Sequence, residues 1–261
     1  MQETRCLTLD YIQKIFKKHN LNYWIDFGTL LGAHRHGGFI PWDDDIDLGM
    51  LRNDYEKAFD ILEAELKNTE LKVIRCIPFH NTLFKLLYKP TCKALLDFFP
   101  YDYSNNDELT SEEIETKSKQ ARDIFFKNYS LEDFRHGRLK LKDKMNDVYE
   151  IYKKLNITTS QKDGYWIFRG IESMSSAICA SCHKKENVFP LQKIKFENIE
   201  VYAPNNIEEY LKNADERGYG DYMNFPKISY ATIHKEQMNI YNKAKFIELQ
   251  ELNKYIKAIS S

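Results

Sequence analysis

Four aspartates fall within five positions, Asp43, Asp44, Asp45 and Asp47, and they sit among Phe39, Ile40, Trp42, Ile46, Leu48 and Met50. A solvated acidic loop has no need of so many apolar neighbours, whereas a strand with one buried face does. Alternate side chains of an extended chain point to opposite faces. Asp45 and Asp47 are therefore expected on one face, with Ile46 and Leu48 anchored in the core on the other. Two bare carboxylates about 4 Å apart repel by about 4 kcal/mol at an effective dielectric of about 20. A chain that builds such a pair is expected to balance it with a cation, and oxygen-only ligands suit magnesium or manganese. A calcium loop starting at Asp43 fits poorly, because Leu48 stands where its glycine belongs and Asp54 replaces the bidentate glutamate.

Upstream the hydrophobic period changes. Leu9, Ile12 and Phe16 recur at helical spacing, with Ile15 widening the stripe. From Leu21, residues Tyr23, Ile25 and Phe27 alternate with Asn22, Trp24 and Asp26, which predicts a strand over 21–27. Gly28-Thr29-Leu30-Leu31-Gly32 breaks that strand. The Gly28-Thr29 step is expected to open a helix or tight turn whose N–H groups, with the Thr29 hydroxyl, suit a phosphate. Gly-Thr alone is ordinary turn chemistry. Followed about fifteen residues later by Asp-apolar-Asp on a second strand, it supplies a phosphate cradle beside a metal clamp, the parts phosphoryl transfer requires.

A third carboxylate joins the set. Asp97 lies inside the apolar run Leu95–Phe99, which is expected to end as a strand at Pro100. Burying it alone would cost several kcal/mol, so the metal or a substrate hydroxyl is the expected partner, with a salt bridge to an arginine as the structural alternative. Asp102, just past Pro100, reads as a turn acid. A helix over 54–67 and strands over 71–76 and 83–88 complete an alternation of helix and strand typical of an α/β or α+β sheet domain.

Residues 105–163 differ in kind: 12 Lys/Arg balance 12 Asp/Glu, there is no proline, and Gly137 is the single glycine. Thr110-x-x-Glu113 predicts a capped helix running to Lys127, and a second helix is expected over about 143–155. The stretch reads as a helical insertion with solvated charged faces. Further on, strands are expected within 188–196 and 199–203 and a helix near 207–214. An amphipathic helix packed on the same core is expected within 232–259.

The overall charge, 38 Lys+Arg against 39 Asp+Glu, argues against a general nucleic-acid binder. The first twenty residues lack the apolar core of a secretory signal, and no apolar run is long enough to span a bilayer. Five scattered cysteines fit reduced thiols better than a disulfide framework. These features together predict a cytoplasmic protein without a transmembrane segment, any membrane association being peripheral. Cys179-x-x-Cys182-His183 offers too few ligands for a four-coordinate zinc site.

The run from Tyr23 through Tyr55 resembles the LicD family, relatives of fukutin and fukutin-related protein in the nucleotidyltransferase superfamily. The residues that carry the resemblance are Trp24-Ile25-Asp26-Phe27-Gly28-Thr29-Leu30-Leu31-Gly32-Ala33, Arg35-His36-Gly37, Ile40-Pro41-Trp42-Asp43-Asp44-Asp45-Ile46-Asp47, Arg52 and Asp54-Tyr55. Asp97-Phe98-Phe99-Pro100, Val188-Phe189-Pro190, Phe196-Glu197, Ala203-Pro204, Glu209-Tyr210-Leu211 and Tyr219-Gly220-Asp221-Tyr222-Met223 also look like its pattern, so the likeness covers about 5–103 and 186–241.

The resemblance implies an α+β, nucleotidyltransferase-like mixed sheet with flanking helices and a helical insertion. The expected division is a catalytic core over 1–103, a charged insertion over 104–163 and the remainder of the same catalytic domain over 164–261. It also implies a transferase that moves a phospho-alcohol, typically phosphocholine from CDP-choline, onto a hydroxyl of a glycan or glycolipid and releases CMP, as in lipopolysaccharide modification. By the same resemblance Asp45, Asp47 and Asp97 would hold Mg2+ (or Mn2+), and Asp97 would complete that site or take the acceptor's proton. Gly28 and Thr29 would bind the donor phosphates, and Asp43 would orient ligands. Lys85 would neutralise the diphosphate, and Arg35 and His36, in a glycine-flanked loop, would touch donor or acceptor. Tyr219 and Tyr222 could stack on a base or sugar. Two other readings share the acid pair: a glycosyltransferase whose Asp-x-Asp binds a nucleotide-sugar with manganese, and an inactive nucleotide- or glycan-binding module.

Overall fold

The computed structural model describes residues 2–41, 43, 45–76, 83–88, 95–135, 138–158, 164–173, 181–213 and 243–260. Helix α1 (Gln2–Lys18) buries the expected stripe of Leu9, Ile12, Ile15 and Phe16. Strand β1 is only Trp24–Ile25, and α2 (Phe27–His36) begins two residues later. The strand expected over 21–27 is thus cut short, because Asp26 caps a helix at the point where alternation would have continued. Tyr23, Trp24, Ile25 and Asp26 are all buried, so the apolar–polar alternation there reflects no solvent-facing side.

Strand β2 (Asp47–Leu51) leads directly into α3 (Arg52–Glu65), and β3 (Leu71–Cys76), β4 (Leu83–Tyr88) and β5 (Leu96–Ser104) follow. The sheet order is β1-β2-β5-β4-β3, with β2 and β5 parallel and the other pairs antiparallel. Strand β5 runs straight through Pro100, where a strand end was expected. Asp97 donates its N–H to Ile46 O at 2.8 Å, so odd-numbered residues of β5 face β2 and even-numbered ones face the other edge. On that other edge, pairing with β4 stops at Phe98 and pairing with β6 (Trp166–Arg169) starts at Tyr101. The N–H that proline lacks falls in the gap between two partners.

β6 pairs in turn with β7 (Cys182–Lys184). Neither strand was apparent from periodicity, since all four residues of β6 are buried. Between β5 and β6 the charged stretch forms α4 (Ser111–Asn128), α5 (Leu131–Arg135), a short 3-10 turn and α6 (Met145–Lys154). The Thr110–Glu113 capping box opens α4 as its spacing predicts. These helices build a second cluster, Ile114, Phe125, Val148 and Tyr152, against Trp166, Phe168 and Cys182. Ile167, the residue between Trp166 and Phe168, faces the main core instead.

Asp102, expected as a turn acid, is a buried residue of β5. Arg52, the first residue of α3, grips it through Nε–Oδ1 at 2.8 Å and Nη2–Oδ2 at 2.9 Å, and also pairs with Glu172. The Tyr152 hydroxyl adds a bond to Asp102 Oδ2 at 3.2 Å, tying α6 to the central sheet.

After α7 (Lys185–Val188), a separate hairpin of β8 (Gln192–Phe196) and β9 (Ile199–Ala203) precedes α8 (Ile207–Asn213). The strand expected within 188–196 thus starts only at Gln192. The last helix, α9 (Lys243–Ser260), packs on α1 and puts Leu252 and Ile256 into the main core, as its amphipathic pattern predicts. This is the expected α+β, nucleotidyltransferase-like arrangement. Among the described residues, no helix is long and apolar enough to cross a membrane.

Candidate functional site

The first turn of α2 and the start of β2 meet at the edge of the sheet. Asp26 is the N-cap: its Oδ1 accepts the Phe27 N–H at 2.8 Å and its carbonyl accepts from Leu30. Helix geometry leaves the first N–H groups without intrahelical partners, so Gly28 and Thr29 present the open donors of that turn. Thr29 is buried, and its Oγ1 accepts the Asp47 N–H at 2.9 Å. The expected cradle is therefore fastened by a hydrogen bond to the strand that begins with Asp47. Asp43 approaches from the other side. A Cβ on Gly28 would lie 2.9 Å from its Oδ2, so glycine there lets the carboxylate come close to the cradle.

Asp47 stands in parallel register with Asp97 on β5. Neighbouring strands lie about 4.8 Å apart, so the two carboxylates leave the same face side by side. Asp97 is buried and Asp47 half-buried. Asp45 precedes the strand instead of lying on it, two residues before Asp47. Hard oxygen donors from adjacent strands are the chemistry magnesium or manganese takes. Among the described residues, no three His, Cys, Asp or Glu side chains are gathered into a group that could hold a metal ion. Lys85 on β4 is paired in register with Asp97, and its side chain lies outside the described residues.

Arg35 and His36 are not brought to this cradle. They occupy the last turn of α2, a helix and not the expected loop, and Arg35 Nε donates to His36 Nε2 at 3.0 Å. At 1.5 Å rise per residue, Thr29 and Arg35 are about 9 Å apart along the axis. Tyr219 and Tyr222 lie outside the described residues, as does Cys179. Cys182 and His183 face opposite sides of β7, one toward the insertion and one stacked on Tyr210 at 3.7 Å, so they do not share an ion.

A layer behind the cradle was missed by sequence reasoning. The Asp26 carboxylate is fully buried, accepting from Tyr101 Oη at 2.6 Å and Tyr210 Oη at 2.9 Å. Trp24 Nε1 donates to the same Tyr210 oxygen at 2.9 Å. Burial raises the Asp26 pKa above the usual carboxylate value, against the Tyr101 hydrogen bond and the charge of Arg169, which lower it. Arg169, buried on β6, lies 4.3 Å from the Phe27 ring and 4.9 Å from the Phe99 ring. Phe27 itself has φ +41°, a conformation L-residues seldom adopt, held between its capped N–H and these two stacking partners. Asp26, like Asp97, is a lone acid between apolar neighbours, Ile25 and Phe27, and that pattern is its signal in the sequence.

Residues 20–141 match the family described as LicD/FKTN/FKRP, nucleotidyltransferase domain, and this interval holds the cradle and all three candidate acids. Over this interval the chain is similar to the LicD family. It is similar to the lipopolysaccharide cholinephosphotransferase LicD of Haemophilus influenzae, 46% identical over 61 residues, 23% of either chain. It is 34% identical over 125 residues to an uncharacterized protein of Rickettsia typhi, 42% of this chain and 39% of that one. Ribitol 5-phosphate transferase FKRP of Homo sapiens is 28% identical over 127 residues, 48% of this chain and 25% of that protein. The matches thus span well under half the length of these relatives.

Proposed function

We propose that this chain is a LicD-type, metal-dependent phospho-alcohol transferase that uses a CDP-alcohol donor and a glycan or glycolipid hydroxyl as acceptor. The Thr29–Asp47 hydrogen bond carries the reading, since it fixes a phosphate-sized row of open N–H donors beside the register-paired acids Asp47 and Asp97. The activities named for the Haemophilus and human relatives support the reaction class. Phosphocholine is the first donor group to test and ribitol phosphate the second.

In this reading Gly28 and Thr29 receive the diphosphate at the positive end of α2, where backbone N–H groups and the helix dipole favour an anion. Asp47 and Asp97, side by side on one face of the sheet, would hold Mg2+ or Mn2+ with Asp45 drawn in on binding, and the ion would supply charge neutralisation at the transferring phosphoryl group. The acceptor oxygen bonds to the phosphorus bearing the alcohol, the P–O bond to the CMP phosphate breaks, and CMP leaves. Asp97, the most buried of the three acids, would either complete the metal site or take the hydroxyl proton. Lys85, opposite Asp97 in register, is the cation assigned to the diphosphate. Arg35 and His36, at the far end of α2, are assigned to the acceptor or the distal part of the donor.

The experiment is to incubate the protein and Mg2+ with a panel of CDP-alcohols and of UDP-sugars, with candidate glycan acceptors, and to follow CMP and UDP. CMP release that disappears in both Asp45→Ala and Asp47→Ala, with melting unchanged, is the expected result. UDP release instead of CMP would favour a sugar transferase. Full CMP turnover in both variants would overturn the metal assignment, and donor binding without any product would make the chain a binding module.

A further inference from the structure

The β8–β9 hairpin stands outside the central sheet, yet its tip reaches the segment that leads into the acidic run. The turn has two residues, Glu197 and Asn198, between the paired Phe196 and Ile199. Glu197 is its first central residue and has φ +54°. Two-residue hairpins ordinarily hold glycine, asparagine or aspartate at that position, and an exposed glutamate there strains the backbone with no burial in return. Its contacts explain the choice. The Glu197 N–H donates to Gly37 O at 2.8 Å, and Glu197 Oε1 accepts the Phe39 N–H at 2.9 Å.

Neighbouring residues are fitted to this grip. A Cβ on Gly38 would fall 2.1 Å from Glu197 Oε1, so glycine at 38 is what lets the carboxylate through. The Phe39 and Phe196 rings pack at 4.8 Å beside it. A few residues on, Gln2 Nε2 from α1 donates to Ile40 O at 3.1 Å and Asp43 O at 3.0 Å. Asp43 N–H closes onto Ile40 O at 2.8 Å. The segment from Gly37 to Asp43 is thus held at one end by Glu197 and at the other by Gln2, and it feeds Asp45 and Asp47 into the site.

We propose that Glu197 is a positioning residue: it keeps a strained turn conformation so that its backbone and side chain together fix the Gly37–Phe39 segment and, through it, the acidic approach to β2. The consequence for turnover rests on the transferase reading above; the grip itself does not.

Glu197→Gly separates the two roles a residue can have here. Glycine relieves the positive φ while the lost Phe39 bond costs a similar amount, so the variant is expected to melt within about 2 °C of wild type. Its Phe39 and Asp43 amides are expected to exchange roughly fivefold faster or more. Its kcat/KM for CMP release is expected to fall roughly tenfold or more. Glu197→Gln keeps an acceptor oxygen and is expected to restore exchange and turnover to near wild type while leaving the strain. A Glu197→Gly protein with unchanged Asp43 exchange, or with wild-type turnover, would overturn the inference. Should the wild-type protein release no CMP from any donor, the transferase reading fails, and the positioning role is then decided by the Asp43 amide alone.

Discussion

Thr29 Oγ1 accepts the backbone N–H of Asp47 across the junction of α2 and β2. One hydroxyl therefore joins the two halves of the site. Replacing it with a methyl leaves a half-buried N–H without its acceptor, at a cost of about 1–2 kcal/mol. Thr29→Val is expected to lose that much in urea unfolding and to lose most of its CMP release, while Thr29→Ser keeps both. Wild-type turnover in the valine variant would show that the link does not position Asp47.

Gly28→Ala tests the approach of Asp43. The added methyl would sit 2.9 Å from Asp43 Oδ2, and what must yield is the tip of a side chain and not backbone. The fold is expected to survive with its melting temperature within about 2 °C. Donor affinity, read by calorimetry with a CDP-alcohol, is expected to drop because the displaced carboxylate borders the cradle.

The Arg52–Asp102–Glu172 cluster is a stability device at the opposite end of β2 from Asp47. Asp102 and Glu172 are both almost wholly buried, and burial alone would discourage the Arg52 charge, but these two carboxylates hold the guanidinium firmly ionised. Removing the cation strands two buried acids. Arg52→Ala is expected to lose about 3–5 kcal/mol in denaturant unfolding. Arg52→Lys, without the planar fork, should recover only part of it.

His183 makes stability depend on pH. Burial first, and the Arg169 charge second, bring its pKa from 6.5 down to about 3, and neither ring nitrogen has a hydrogen-bond partner among the described residues. The unfolded imidazole takes a proton as pH falls through 6.5, whereas the folded one resists until about 3. Its contribution is therefore complete above the unfolded pKa and is lost progressively as pH falls between those values. His183→Phe preserves a flat ring against Tyr210 and is expected to flatten the stability–pH curve in that window. An unchanged slope in the variant would assign the acid sensitivity to other groups.

Much of this architecture was legible in the chain because local pattern and tertiary role agree. Strands β3 and β4 have the bounds their apolar runs predict, and the Thr110–Glu113 box opens α4. The departures have physical causes. Alternation over 21–27 suggested a long strand, but Asp26 caps a helix and Phe27 takes a positive φ. Pro100 looked like a strand end, yet its missing N–H meets a gap between partners. Arg169 and Tyr210 lie far from the acidic run in sequence, and only long-range pairing brings them behind Asp26. In the site itself, register places Asp47 beside Asp97 and a hydrogen bond places Thr29 beside Asp47, whereas Arg35 and His36 go to the other end of their helix.

The contact between α1 and α9 sets an order of events for the newborn chain. Leu9 and Ile12 share one core with Leu252 and Ile256. As translation proceeds, one flank of α1 stays without its native cover until α9 has cleared the ribosome. Such late closure leaves sticky surface open during synthesis. Chaperone capture of nascent chains should therefore persist until α9 has emerged.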